Sequence, residues 1–248
     1  MKLDAAVDRR TEWFVPGWGP PAFRVLVGLL FLPYTGMVLA YTIMGAMLAD
    51  DIHWDRAGAI VLIYFLALGI GAHALDALGS TGVKPWGSML SPSLLWCLAL
   101  SSVLIAYGIG LYYIVTATPL LAPIAMAEGF FLFAYNLEWF NGTFHTDAWF
   151  ALSWGALPVL AGYVIQTNRL SPEVLLVAMA MGLLSLVEIK ASRPYKALKR
   201  RIGPMLLESA RQQEEEIRRF EMILQSLSAA VILLSLGLLM WRVQNSTF

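Results

Sequence analysis

The stretch Ala57-Gly58-Ala59-Ile60-Val61-Leu62-Ile63-Tyr64-Phe65-Leu66-Ala67-Leu68-Gly69-Ile70-Gly71-Ala72-His73-Ala74-Leu75-Asp76-Ala77-Leu78 decides the fold. It is apolar for about the 20 residues that a helix needs to cross a bilayer. Its apolar positions are continuous rather than alternating, and in lipid the remaining way to satisfy every backbone group is a helix. The run closes on His73 and Asp76, three residues apart and so on one helix face, about 5–6 Å apart at Cβ. Ionisable groups at the mouth of a membrane helix are costly to keep and mark a candidate functional site.

Six further apolar runs flank this one: Arg24–Ala49, Pro92–Val115, Pro119–Leu137, Ala148–Ile165, Pro172–Ala191 and Phe220–Trp241. Of the residues, 58% are hydrophobic and 14% charged, against about 25% charged in soluble domains. The expected fold is therefore all-α: a polytopic transmembrane helical bundle of about seven spans, forming a single integral membrane domain over residues 1–248. The net charge is zero, which argues against a nucleic-acid partner. Cys97 stands alone, so no internal disulfide forms, and its neighbours Leu95, Trp96 and Leu98 make it a packing residue. No secretory signal peptide is read, because about two dozen residues precede the first apolar run and that run is long enough to span.

Lys and Arg set the orientation. Lys2, Arg9 and Arg10 precede the first run, Lys84 follows the second, and Arg193, Lys196, Lys199, Arg200, Arg201, Arg211, Arg218 and Arg219 lie between the sixth and seventh. The alternate side has Arg56, Arg169 and Arg242. The N-terminus is thus expected in the cytoplasm, with the polar loops Gly79–Ser91, Glu138–Asp147 and Ser192–Arg219 on that same side. Within the last loop Pro204 begins a helix, and Glu214/Arg218 and Glu215/Arg219 have the favourable (i, i+4) order. A helical extension over about residues 193–219 should run into the last span, its basic face set against anionic lipid headgroups.

Several residues are candidates for chemistry. His73 and Asp76 are either an interfacial polar pair or ligands of a metal or substrate. Carboxylates suit Mg²⁺, whereas imidazole suits Zn or Fe. Tyr135-Asn136-Leu137-Glu138 and the following Asn141-Gly142-Thr143-Phe144-His145-Thr146-Asp147 supply further polar groups. Asn141-Gly142 marks a turn, and Asp147 is placed to cap the fifth helix. With His73 and Asp76, the side chains of Glu138, His145 and Asp147 would complete a metal-binding cluster if the two loops are adjacent. Glu128 sits inside the fourth run with no Lys or Arg within a helical turn, so it is either neutral in a structural hydrogen bond or faces a wet cavity. Glu188 is a site candidate near the end of the sixth run, where Lys190 is placed to snorkel. Pro158 should kink the fifth helix, and Gly155, Ala156, Ala161 and Gly162 around it permit close helix packing.

Ala72-His73-Ala74-Leu75-Asp76-Ala77-Leu78-Gly79-Ser80, followed by Lys84-Pro85, resembles the first Asp-rich motif of the UbiA-type membrane prenyltransferase superfamily. Tyr135-Asn136-Leu137-Glu138 with Trp154-Gly155-Ala156-Leu157-Pro158 is similar to that family's passage from the fourth to the fifth span, and Tyr195-Lys196-Ala197-Leu198 falls near its second motif. Asp76 is the one aspartate retained from the first motif. His73 and Ser80 stand where two others would be, and Ala72 replaces the Asn. The resemblance implies a UbiA-like bundle that holds an isoprenoid diphosphate with Mg²⁺ and passes the prenyl group to a lipid or aromatic acceptor. On that implication Asp76, His73 and Glu188 are catalytic, and Lys84, Tyr135, Asn136, Arg193 and Lys196 bind substrate.

Three functions follow from these readings. The first is a divergent prenyltransferase, with membrane lipids and an isoprenoid diphosphate as partners. The second is an intramembrane transition-metal enzyme built on His73, Asp76, Glu138, His145 and Asp147. The third is a non-catalytic lipid- or cofactor-binding subunit of a membrane complex or a homo-oligomer.

Overall fold

A computed structural model describes residues 12–79, 89–199 and 207–245. Lys2, Arg9, Arg10, Lys84, Arg200, Arg201 and Pro204 lie outside the described residues. Those described form helices and no strands. Six helices are long and apolar enough to cross a membrane: α1 (Pro21–Met47), α2 (Trp54–Gly79), α3 (Pro92–Thr116), α5 (Asp147–Thr167), α6 (Pro172–Lys199) and α7 (Leu207–Asn245), whose stretch Ser209–Asn245 contains an apolar window of spanning length. The chain is an integral, multi-pass membrane protein. The remaining run forms α4 (Leu121–Asn136), whose 16 residues reach about 24 Å, short of the ~30 Å hydrocarbon core. Conversely, the 39 residues of α7 extend about 58 Å, so that helix continues well outside the bilayer. There Arg218 donates to Glu214 at 2.6 Å, one of the two expected (i, i+4) pairs.

Local chemistry sets the helix starts. Ser91 accepts from Leu94 N ahead of Pro92, and Ser171 accepts from Val174 N ahead of Pro172. In each case a hydroxyl caps an orphan N–H and proline opens the first turn. Asn168 ends α5 in the left-handed conformation, at φ 50°, and its Oδ1 accepts from Leu120 N at 2.9 Å, tying down the start of α4. At the head of α5 the cap is Thr146, which accepts from Trp149 N, rather than Asp147. The Asp147 carboxylate is instead drawn to two cations of α6 (below). Pro158 is accommodated by a π-helical turn over Leu152–Ala156 immediately before it, since its missing N–H frees a carbonyl one turn back.

The helices alternate in direction, which gathers their ends into two groups. At one end the Arg56 guanidinium donates to the Ile165 and Gln166 carbonyls, and Arg242 donates to those of Ala49 and Asp50. Arg56 thus caps the last carbonyls of α5, and Arg242 holds the turn that follows α1. The buried Gln166 amide closes the same end, accepting from His53 N at 2.7 Å and donating to His53 O at 3.2 Å. At the opposite end lie the head of α1, His73–Gly79 of α2, the end of α4, the head of α5 and the last turns of α6.

Small residues bring the helices close, as their spacing implies. A β-carbon on Gly162 of α5 would stand 2.1 Å from Thr42 O of α1, and one on Gly45 would stand 2.0 Å from Val159 O. One on Gly155 would meet Gly182 of α6 at 2.8 Å. Cys97 is exposed on the flank of α3 rather than packed inside, because that helix turns one side outward.

Candidate functional site

The end of the bundle bearing His73 unites the two polar stretches that the sequence places about sixty residues apart. Gly79, at the foot of α2, packs so closely on the end of α4 that a β-carbon there would stand 2.1 Å from Asn136 O. The Asn136 side chain is buried and donates to Leu132 O at 2.8 Å, so it serves to close α4. The intervening turn is built from left-handed residues: Glu138, Phe140, Asn141 and Gly142 have φ between 53° and 75°. It therefore reverses at Asn141-Gly142 as expected and leaves Glu138 exposed.

An arc of aromatic rings crosses this end. Phe31 stacks on His73 with centroids 5.2 Å apart, His73 lies 5.3 Å from Trp154, and Trp154 stacks on Phe150 at 5.4 Å. Phe150 then reaches Tyr135 at 5.9 Å, and Tyr135 stacks on His145 at 4.4 Å. The arc joins four segments: the head of α1, α2, the end of α4 with its loop, and α5. Phe31 holds its place at φ 45°, a conformation that costs a residue with a side chain about 1–3 kcal/mol and clusters at functional sites. His73 directly follows an eight-residue π-helical stretch, Phe65–Ala72, and Trp154 lies in the π-turn of α5. Such widened turns recur at functional sites.

Cations flank both ends of the arc. Lys196 Nζ lies 5.2 Å above the Phe31 ring. Beside His145, Asp147 pairs with Lys190 at 2.7 Å and with Arg193 at 2.9 Å, and Arg193 also donates to His145 O at 3.2 Å. Lys190 thus joins Asp147 and Arg193 in an ion-pair triad, its side chain still largely exposed. Asp76, half-buried, lies within electrostatic reach of the Tyr135 hydroxyl, as do Arg193 and Asp147. Below the arc, Glu188 is 3% exposed, and its Oε1 has no hydrogen-bond partner among the described residues. Lys196, two turns further along α6, is the cation that acts on it. Hydrogen bonds from Tyr34 to Ser192 at 3.2 Å and from Ser185 to Tyr41 at 3.4 Å pin α6 to α1 on either side of Glu188.

The proposed ligand atoms have individual occupations. His73 Nε2 shares a hydrogen bond with Thr35 Oγ1 at 3.3 Å. His145 Nδ1 lies 3.0 Å from Tyr135 O. A carbonyl only accepts, so His145 carries its proton on Nδ1. Among the described residues, no three His, Cys, Asp or Glu side chains are grouped so as to hold a metal ion. His73, Asp76, Glu138, His145 and Asp147 share one end of the bundle without converging, because Glu138 turns outward and Asp147 is engaged by α6. Lys84 lies outside the described residues.

Sequence reading missed Phe31, Trp154 and Phe150 as site residues. The signals available were Pro33 and Pro158, each just after a departure from regular helix. Comparison with family models, with curated proteins and with solved structures gives no match to this chain.

Proposed function

We propose that this chain is a divergent, UbiA-like membrane prenyltransferase, transferring an isoprenoid group from a diphosphate donor to a lipid or aromatic acceptor at the end of the bundle that carries His73. The excess of Lys and Arg there favours the cytoplasmic side for that end. The observation that carries the reading is the aromatic arc from Phe31 to His145 with Lys196 at one limit and Arg193 and Lys190 at the other. In prenyl transfer the allylic C–O bond breaks and its electron pair leaves with the diphosphate. The carbon gains positive character and then bonds to the acceptor, which loses a proton. Ring faces stabilise positive charge, and fixed cations stabilise the departing diphosphate. In this reading Lys196, Arg193 and Lys190 bind the diphosphate, Phe31, Trp154 and Tyr135 face the prenyl carbon, and His73 or Glu188 accepts the proton. Asp76 orients the mouth through Tyr135 and Arg193. These cationic side chains neutralise the charge of the departing diphosphate.

The test is prenyl transfer by the purified protein in nanodiscs, with a panel of isoprenoid diphosphates, with and without Mg²⁺. Release of diphosphate coupled to prenylated product is expected, and Arg193→Gln with Lys196→Gln should weaken donor binding. Absence of both diphosphate binding and turnover refutes the reading.

A second reading, a non-catalytic lipid- or cofactor-binding subunit, draws support from the dispersal of the acidic groups. It predicts donor or lipid binding without product, and co-purification with a partner at fixed stoichiometry. Elemental analysis of protein purified without added metal tests the transition-metal alternative, which requires a stoichiometric ion.

A further inference from the structure

A second polar feature lies deep in the bundle, away from the end just described. Glu128 is eight residues before Asn136 on α4, about 12 Å along the helix. Tyr64 of α2 donates to its Oε1 at 2.8 Å. Its Oε2 is screened from water and has no hydrogen-bond partner among the described residues. The adjoining turn is tightly crossed. The Tyr107 hydroxyl of α3 donates to Ala125 O at 2.7 Å and lies 1.8 Å from where a β-carbon on Gly129 would stand.

Glu128 and Tyr64 line a crevice of about 500 Å³ between α2, α3 and α4, within the ~300–1,000 Å³ range of small-molecule sites. Its walls are aliphatic apart from Glu128, Tyr64 and Tyr107, and no Lys, Arg or His lines it. It opens sideways: its rim residues Leu104 and Met126 are 70% and 74% exposed on the outer flank of the bundle. A carboxyl offers about four lone-pair positions and Tyr64 takes one. At this depth water is not at hand for the others, and an unsatisfied polar group costs several kcal/mol. The terminal carboxyl torsion is soft, so Glu128 can present an oxygen to the crevice that it lines.

We infer that this crevice binds a membrane-soluble alcohol, its chain along the aliphatic walls and its hydroxyl on the Glu128 carboxyl. A hydroxyl both donates and accepts, so it satisfies the carboxyl whether neutral or ionised. A phospholipid does not fit: its charged head would have to leave the interface for mid-depth, and an acyl chain alone brings no polar atom. An ammonium head meets the same cost. The inference is independent of prenyl transfer at the His73 end.

The experiment uses the full chain in nanodiscs with two photoreactive probes, a long-chain alcohol and the matching alkane. Each carries its diazirine at the tail, so that the carboxyl is not the labelled group. Cross-linked peptides are mapped by mass spectrometry. The alcohol should label α3 and α4 beside the crevice, and unlabelled alcohol should compete. Glu128→Leu should reduce alcohol labelling about fivefold, the loss expected for one hydrogen bond, to the alkane level. Glu128→Gln, which still donates and accepts, should retain it and guards against a folding artefact. Ala122→Phe, which fills the crevice and keeps the acid, should abolish labelling there. Equal labelling of the wild type by alcohol and alkane, or alcohol labelling unchanged in Glu128→Leu, overturns the inference. Neither result bears on diphosphate binding by Arg193 and Lys196.

Discussion

Gly162→Ala tests the seam on which the aromatic arc depends. The new methyl carbon would stand 2.1 Å from Thr42 O, 3.0 Å from Ala46 N and 3.0 Å from Thr42 C. All three are backbone atoms, so no side chain can swing aside and α1 must retreat from α5 by about 1 Å to reach ordinary contact. In a membrane, helices associate largely through such packing. A retreat of that size forfeits about a quarter to a half of each contact well. Over on the order of 50 atom pairs at about 0.1–0.2 kcal/mol each, the loss is about 1–5 kcal/mol, a range that covers the ~1–3 kcal/mol usual for overpacking. The assay is thermal or detergent denaturation, with Gly237→Ala as control. Gly237 lies in α7 with nothing within 4 Å of an added β-carbon, so that variant should be neutral or gain about 0.5–1 kcal/mol. Gly162→Ala should also disturb the Phe31–His73 contact, because Phe31 and Thr42 share α1. Equal stability of Gly162→Ala and wild type would refute the close approach of the two helices.

Gln166→Ala should cost about 1–3 kcal/mol, measured by the same denaturation, because the His53 N–H loses its partner, whereas the His53 carbonyl still accepts from Ala57 N at 2.9 Å. Asp147→Asn should cost less than about 1 kcal/mol, since the cations it pairs with are largely exposed. The same change should nevertheless raise affinity for inorganic pyrophosphate in equilibrium dialysis, as Lys190 and Arg193 lose their competing anion. Trp154→Ala should cost about 3–5 kcal/mol and abolish any prenyl transfer, whereas Trp154→Phe should keep a measurable rate by retaining the ring beside His73.

Much of this molecule was legible in the amino-acid order. All seven apolar runs form helices, the small residues around Pro158 are contact points, Asn141-Gly142 turns the chain, and Glu214 meets Arg218. These features depend on a few neighbouring residues or on composition averaged along one helix. The reach of α4 was less legible, because Pro119 and Leu137 are apolar yet lie outside its regular turns. The cap of α5 was misplaced by one residue, since Asp147 suits a cap by type but two cations on α6, remote in sequence, claim its carboxylate.

Continuous apolar runs and hydropathy by themselves determined an all-helical, membrane-crossing chain with most of its polar groups at helix mouths and Glu128 within a run. The Lys and Arg count also put the loops bearing His145, Arg193 and Lys196 on one side, but three-dimensional packing alone decided that Tyr135 stacks on His145, that Arg193 reaches the His145 carbonyl, that Lys196 lies over Phe31, and that Phe31 and Trp154 flank His73. The physical reason is that lipid demands internally bonded helices from each segment separately. Which mouths meet, by contrast, depends on contacts such as Gly79 on Asn136 and Gly162 on Thr42, between residues that no local pattern links.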